Sequence, residues 1–368
     1  MRILFIAPVP PPVTGQSLAC KVLFEEIIKK NTVEIVNLSK SGFKQGINSI
    51  DRIFEVFGIT LKVWRNKNRT DVIYLTIAES IAGNIKDLVI YLICFRRLDS
   101  MIIQMLGGAG MRSILEKKGI LCKLNKFFIS RVRGVIVEGE SQAFTFSKLI
   151  NRDKIHIVPN FAEDFLFLNE NDVRNKFTNI YPLKILFLSN LLFGKGHNEL
   201  VDAYLSLNDE IKNKVEIVFV GGFESSAHKE EFLNNILGHN GLTYYGNYVG
   251  GEEKKELYRK SHVFALPTYY PYEGQPISIL EAYATGCVVI TTEHSGIPDV
   301  FCDMVNGYVV EKRSVSSIKL VIERILENRD SLLDVAILNR NIAFEKYRTT
   351  IYTSSIVNII ENSNVSKP

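Results

Sequence analysis

Apolar runs of strand length alternate along the whole chain with longer segments whose apolar positions fall at helical spacing. In the first half, RILFIA, VEIVNL, DVIYLT, SMIIQM and GVIVEG read as strands, while SLACKVLFEEIIKK and ESIAGNIKDLVIYLICFRR between them read as helices. After HIVPNF (His156–Phe161) comes a polar, Asn-rich stretch, FLNENDVRNKFTNIYP. A second series then begins with LKILFLSN and continues through VEIVFVGG, LTYYGN, HVFALPTYY and CVVITT. This alternation predicts parallel α/β architecture, here as two Rossmann-like doubly wound domains facing across a cleft. The polar stretch places the boundary between about Asn169 and Pro182, with a first domain over 1–170 and a second over 180–345. The closing segment EKYRTTIYTSSIVNIIENS reads as one helix, and NVSKP (Asn364–Pro368) as a frayed tail.

Composition adds limits. A chain of 368 residues is long for one core, and 46% hydrophobic with 23% charged residues is the balance of a soluble globular protein. The opening MRILFIAP is too short for a signal peptide and lacks a small-residue cleavage site, so it reads as a first strand. The longest apolar run, LVIYLICF (Leu88–Phe95), falls well short of a bilayer span. Five cysteines, odd in number and without a CxxC pair, point to reduced thiols in a cytoplasmic protein. The histidines form no HxxxH or HExxH pattern and no Asp-x-Asp occurs, so neither a protein-held metal nor a cofactor is expected. Charge is unevenly spread. Residues 1–170 hold 24 Lys/Arg against 16 Asp/Glu, whereas the remainder holds 20 against 24, so the first half suits a negatively charged partner.

Doubly wound sheets bind ligands at the carboxyl ends of their strands, and four turns there carry candidate chemistry. PVPPPVTGQS follows the first strand, and its Gly15 allows close backbone approach. LGGAGMR (Leu106–Arg112) offers Gly107 and Gly108 but lacks the third glycine of a dinucleotide fingerprint. SNLLFGKGHNEL (Ser189–Leu200) sets Lys195 between two glycines at a helix entrance, where it can reach a diphosphate as a point charge. It is not a Walker A loop, and His197 reads as a first-turn polar residue. The fourth is PYEGQPISILEAYATGCVVITTEHSG (271–296). Pro276 suits the first turn of a helix and Gly286 the position past its end, with Ile277, Leu280 and Ala284 as an apolar face. Glu281 then rides on the helix and Glu273 lies in the loop at its mouth, where exposed amides favour an anion. Two carboxylates beside an anion site suit hydroxyls flanking a diphosphate, which is the shape of a nucleotide sugar. Residue by residue, plainer readings stay open: solvated glutamates, a simple glycine turn, a surface lysine.

Taken in order, these pieces resemble the GT-B-fold glycosyltransferases of family 4, the group 1 glycosyl transferases. The resemblance covers nearly the whole chain and is strongest from Lys184 to about Val310. PYEGQPISILEAY resembles the family's Glu-x7-Glu segment, VNGYVV the stretch that follows it, HIVPNF the crossing between domains, and PVTGQS the acceptor-side loop. The resemblance implies that Glu281 binds the ribose hydroxyls and Glu273 contacts the donor sugar. It implies that the backbone around Gly274, Gln275, Pro276 and Ile277 meets sugar or diphosphate, with Asn190 and Gly15 also on the donor side. Lys195 would neutralise the leaving diphosphate, with Glu273 and Lys195 as the catalytic pair and no metal needed. Gln16, Gly107 and Gly108 fall on the acceptor side. Two positions depart from the family: Asn190 stands where an Arg is usual, and Leu106, with Gln104 nearby, stands where many members carry a His.

The expected activity is retaining transfer of a hexose or N-acetylhexosamine, from a UDP-sugar by preference, to a glycan or lipid-linked oligosaccharide in bacterial cell-surface polysaccharide synthesis. A catalytically weak scaffold that binds nucleotide sugar or a partner glycosyltransferase, and a sugar-nucleotide epimerase, are the competing readings. MRSILEKKGILCKLNKFFISRVRG (Met111–Gly134) holds seven Lys/Arg against Glu116. It reads either as an ordinary amphipathic segment with a solvated basic face or as a peripheral contact with an anionic membrane. No base-reading module accompanies it, so nucleic acid is not expected as a partner.

Overall fold

The alternation of strands and helices resolves into two parallel six-stranded sheets in the computed structural model, which describes residues 1–39 and 49–362. The chain forms two units, one from Met1 to Asn160 joined by the carboxy-terminal stretch from Thr350, the other Phe161–Thr349.

The first unit contains β1 (Arg2–Ala7), β2 (Thr32–Asn37), β3 (Val72–Ile77), β4 (Met101–Met105), β5 (Gly134–Val137) and β6 (Ile155–Ile157), in the order β2-β1-β3-β4-β5-β6. Its helices are α1 (Gly15–Ile27), α2 (Ser49–Asn66), α3 (Ile81–Ile93), α4 (Ala109–Glu116), α5 (Ile120–Ile129) and α6 (Glu140–Ser147). The central strands β3, β4 and β5 are buried along their whole length, whereas the edge strand β2 leaves most of its residues partly or fully exposed. That contrast follows from helices covering both faces of a parallel sheet.

The second unit contains β7 (Leu183–Leu188), β8 (Val215–Val220), β9 (Leu242–Gly246), β10 (Val263–Leu266), β11 (Val288–Thr291) and β12 (Gly307–Val309), in the order β12-β11-β10-β7-β8-β9. Its helices are α7 (Glu170–Lys176), α8 (His197–Leu205), α9 (Asp209–Lys212), α10 (Ser226–Ile236), α11 (Gly251–Lys260), α12 (Ile277–Ala284), α13 (Val315–Glu327) and α14 (Leu332–Lys346). The last helix, α15 (Thr349–Asn362), returns the chain to the first unit.

Two boundaries differ from the sequence reading. The stretch expected to connect the domains belongs to the second core, and the division falls at Asn160–Phe161 instead of between 169 and 182. The reason is apolar spacing inside a polar segment. Asn169 caps α7 by accepting from the Asp172 amide, and Val173 and Phe177, four residues apart, are buried in the second core with Ala162 and Leu168. The closing segment forms one helix as expected, but it starts later: Glu345 and Lys346 end α14, and α15 starts at Thr349. Between them the Tyr347 carbonyl accepts from the Ala162 amide at 2.7 Å, and the Thr349 amide donates to Asp164 at 3.2 Å. The outgoing and returning strands of chain thus pair side by side. The tail Asn364–Pro368 lies outside the described residues. All five cysteines are free thiols, four of them buried.

Candidate functional site

In the second sheet β7 lies between β8 and β10, so the winding direction reverses there and the loops leaving β7 and β10 diverge. A doubly wound sheet opens its ligand crevice at such a point. The loop after β7 brings Lys195, the loop after β10 brings Glu273, and they meet. Lys195 Nζ donates to Glu273 Oε2 at 2.7 Å and to Oε1 at 3.0 Å, while Thr268 Oγ1 donates to Oε2 at 2.9 Å. Both charged side chains are largely shielded from solvent, and the ammonium also stands 5.0 Å from the centre of the Tyr270 ring. The flanking glycines explain the GKG spelling. Gly194 (φ +92°) and Gly196 (φ +86°) both take left-handed backbone, and the Gly194 carbonyl accepts from the Tyr269 amide at 2.7 Å. A Cβ on Gly196 would run into the Pro267 carbonyl. The lysine loop therefore lies flat against the exit of β10.

The turn from Glu273 into α12 is held from the next loop, where Ser295 Oγ donates to the Glu273 carbonyl at 2.5 Å and the Gly296 amide to the Gly274 carbonyl at 3.3 Å. Gly274 is half-buried, and Gln275, Pro276 and Ile277 are buried. Pro276 takes the N-cap place, one residue ahead of the expected first turn, and no side chain caps α12 among the described residues. Gly286 (φ +61°) follows the helix end as expected, against Val173. The apolar face expected from Ile277, Leu280 and Ala284 is an understatement, because every residue of α12 except Ser278 is buried. The helix packs against β10, β11 and α14 and is interior on all sides.

Glu281 has separate partners. Its Oε1 accepts from Lys254 Nζ at 2.7 Å and its Oε2 from Tyr258 OH at 3.0 Å, both from α11. Lys254 also donates to Glu163 Oε2 at 2.7 Å. Burial by itself would depress the Lys254 pKa, but the charges of Glu281 and Glu163 outweigh it and the value is raised. Glu273 and Glu281 therefore do not share a cation. Sequence reading missed Lys254 and Glu163, and one signal was available: Lys254 stands four residues before the buried Tyr258, on the inward face of α11.

Residues 170–341 match the family described as glycosyl transferases group 1. That match spans a little under half of the chain. The chain is 26% identical over 161 residues to an uncharacterized glycosyltransferase of Methanocaldococcus jannaschii, covering 44% of this chain and 40% of that protein. It is 27% identical over 155 residues to the N,N'-diacetylbacillosaminyl-diphospho-undecaprenol alpha-1,3-N-acetylgalactosaminyltransferase of Campylobacter jejuni, covering 41% and 38% respectively. The chain thus spans about two fifths of the length of the curated relatives it matches. The fold is shared over far more of the molecule. The crystal structure of Anabaena HepE in complex with UDP and glucose superposes with a TM-score of 0.74 at 15% identity, covering 98% of this chain and all of that one. The two-sheet architecture is the GT-B fold.

Within the GT-B fold the remaining candidates separate. Asn190 is exposed just past β7, where Gly221 (φ +147°) lets the neighbouring loop approach the Ser189 carbonyl. His197 opens α8, in the first turn as expected, and is buried there. It lies among Phe187 and Phe232 with Nε2 at 3.3 Å from His228 Nε2, and its Nδ1 finds no hydrogen-bond partner among the described residues. Burial, helped by His228, pushes its pKa down to about 3.

In the first unit the winding reverses between β1 and β3. Gly15, expected on the donor side, belongs to this unit and starts α1 exposed, with Gln16 partly buried beside it. Thr14 and Ser17 close a capping box over that start. Gly107 (φ +147°) and Gly108 lead into α4, and the Gly107 carbonyl accepts from Gln142 Nε2. Glu79, from the loop after β3, sets Oε2 at 2.7 Å from the Gly110 amide and 3.3 Å from the Met111 amide. Burial raises its pKa. Glu138 accepts from Gln142 at 2.8 Å and from Asn160 at 2.7 Å. Leu106 is buried, and Gln104 is committed to the core, bonded to Tyr74 and to Tyr352. Glu79, Glu138 and Gln142 escaped the sequence reading because isolated acids and amides carry no spacing signal.

Proposed function

We propose that this chain is a retaining glycosyltransferase that uses a nucleoside-diphosphate sugar, UDP-linked by preference, without a metal. The Lys195–Glu273 pair across the winding reversal carries this reading. Cleavage of the sugar–phosphate bond leaves negative charge on the departing diphosphate, and a cation already in place stabilises that charge most in the transition state. A diphosphate beside Lys195 shares its ammonium with Glu273. Thr268 keeps the carboxylate oriented; Lys195 and Thr268 occupy Oε2, while Oε1, bonded to Lys195 alone, retains a lone pair for a sugar hydroxyl. Glu281, held by Lys254 and Tyr258, is the proposed ribose anchor, and the backbone from Gly274 to Ile277 the proposed sugar and diphosphate contact.

The acceptor we propose is a growing glycan or lipid-linked oligosaccharide of a bacterial surface polysaccharide. In support, the Campylobacter relative is named for an undecaprenol-diphosphate substrate and an Erwinia amylovora relative, 23% identical over 187 residues, for amylovoran biosynthesis. Gln16, Gly107 and Gly108 are the proposed acceptor-side positions. One observation favours a catalytically weak scaffold as second reading: Asn190 is uncharged and exposed where the family it resembles usually carries an Arg.

The test is thermal unfolding with UDP, GDP, ADP and CMP, followed by donor hydrolysis in wild type and Glu273→Gln. A nucleotide at about 100 times its Kd adds about 2.7 kcal/mol, a rise of about 5–10 °C for this size. A rise with UDP alone, and hydrolysis that disappears in Glu273→Gln, supports the enzyme. A rise without hydrolysis supports the scaffold, and turnover of the nucleotide sugar without an acceptor to a new sugar isomer supports an epimerase.

A further inference from the structure

Three helices of the first unit are apolar on the side that faces solvent. From β2 to β3, β3 to β4 and β4 to β5 the chain steps across the sheet in one direction. Right-handed crossovers therefore put α2, α3 and α5 on one face. They lie side by side: α3 packs against both neighbours, and Asn84 of α3 and Asn125 of α5 exchange hydrogen bonds at 3.0 and 2.8 Å. With their inner sides committed to the sheet, their outer sides should be polar. They are not. On α2 the exposed stripe is Phe54, Phe57 and Trp64, at i, i+3 and i+10. On α3 it is Ile81, Ile85, Val89 and Leu92, at i, i+4, i+8 and i+11. On α5 it is Ile120, Leu124 and Phe127, at i, i+4 and i+7. Trp64 is 60% exposed, Leu92 65% and Ile120 69%. Phe95, just beyond α3, stacks on Phe127 at 6.0 Å and joins two of the stripes.

Basic side chains border these stripes. Lys62 and Arg65 are exposed on α2, Arg96 follows α3, and Lys123 and Lys126 are exposed on α5. The Arg131 guanidinium lies 3.9 Å from the centre of the Phe127 ring, so charge and apolar surface are in direct contact. A patch of this breadth is uncommon on a solitary soluble surface. Its chemistry, aromatic and aliphatic side chains with long cationic ones around them, suits the boundary between acyl chains and anionic headgroups. A second copy of the chain would set two basic rims against each other. No helix among the described residues is long and apolar enough to cross a membrane, so the contact is with the surface.

We propose that the outer face of α2, α3 and α5 docks this protein on an anionic lipid bilayer. This goes beyond the donor-site reading and uses none of its residues. Trp64 is the chain's one tryptophan and reports directly. The full chain is mixed with vesicles of phosphatidylcholine alone, or mixed with phosphatidylglycerol, and Trp64 emission and co-sedimentation are followed at low and high salt. Expected are a blue shift and sedimentation with the anionic vesicles, both weakened by salt. Phe54→Ser with Phe57→Ser, and separately Lys123→Glu with Lys126→Glu, each lower vesicle affinity on the order of ten-fold or more. Both double variants keep the wild-type melting temperature and nucleotide response, because the altered side chains are exposed. Absence of binding to anionic vesicles overturns the proposal. So does binding that the Phe54/Phe57 variant leaves intact, which would mean adsorption by charge alone. A dimer in solution that this variant dissolves, with Trp64 already shielded before lipid is added, would also overturn it and make the face an interface between copies.

Discussion

Lys254 Nζ stands 2.7 Å from Glu281 Oε1 and equally 2.7 Å from Glu163 Oε2, so one buried ammonium serves two carboxylates. Glu281 is almost wholly buried, and Tyr258 takes its other oxygen. The arrangement fixes the rotamer of Glu281. Removing the lysine strands charge in a site that cannot rehydrate it. Lys254→Met should cost about 3–5 kcal/mol in urea unfolding, and adding Glu281→Gln should recover part of the loss. Equal, additive losses would show that the two residues do not act as a pair.

The Lys195–Glu273 pair should behave differently, since its proposed work is in the reaction. Lys195→Ala is expected to lower donor turnover by about 10²–10³-fold, with Lys195→Arg intermediate because the charge is kept but the glycine-flanked loop is crowded. Steady-state kinetics with a UDP-sugar checks this. A change confined to KM would mean that Lys195 holds ground state and transition state alike.

Glycine substitutions should split by backbone. Gly196→Ala forces a Cβ toward Pro267 at φ +86°, and should destabilise by more than about 1 kcal/mol while displacing Lys195. Gly58→Ala, inside α2 with no atom of the described residues near the new Cβ, should stabilise by about 0.5–1 kcal/mol. Thermal melts of the two variants test both signs.

Two buried histidines set an acid limit. Burial, aided by His228, lowers His197 to about 3, and burial, aided by Lys176, lowers His262 to about 4, both from an ordinary 6.5. His262 is held neutral by geometry as well: its Nδ1 accepts from the Lys184 amide at 3.0 Å and its Nε2 donates to the Lys176 carbonyl at 3.1 Å. The unfolded chain takes up protons that the folded chain resists. Stability from these groups is therefore present above the unfolded value of 6.5 and is lost as pH falls toward the folded values. Each should contribute a slope of up to about 1.4 kcal/mol per pH unit across that window. Urea midpoints measured from neutral to acid pH should show the slope, and His197→Phe should reduce it.

Much of the fold was legible because it is repetitive. Ten of the twelve strands stand out as apolar runs between helical segments, and the family match agrees with the resemblance carried by the GKG loop and the Glu-x7-Glu segment. The two strands not named, β6 and β12, have three residues each and lie at sheet edges, too short for a period to register. α7 was read as a linker because two buried side chains, Val173 and Phe177, are outnumbered by Asn, Asp and Glu.

By itself the sequence determined which residues could form strands and helices, and which loops held glycine and charge together, because those properties depend on near neighbours. The tertiary structure decided who meets whom. Lys195 and Glu273 are 78 positions apart, Lys254 and Glu163 91, and only the winding of the second sheet brings each pair together. Exposure was decided there too. The stripes of α2, α3 and α5 have the spacing of a buried face, and nothing local to a helix says which of its apolar sides the sheet will cover.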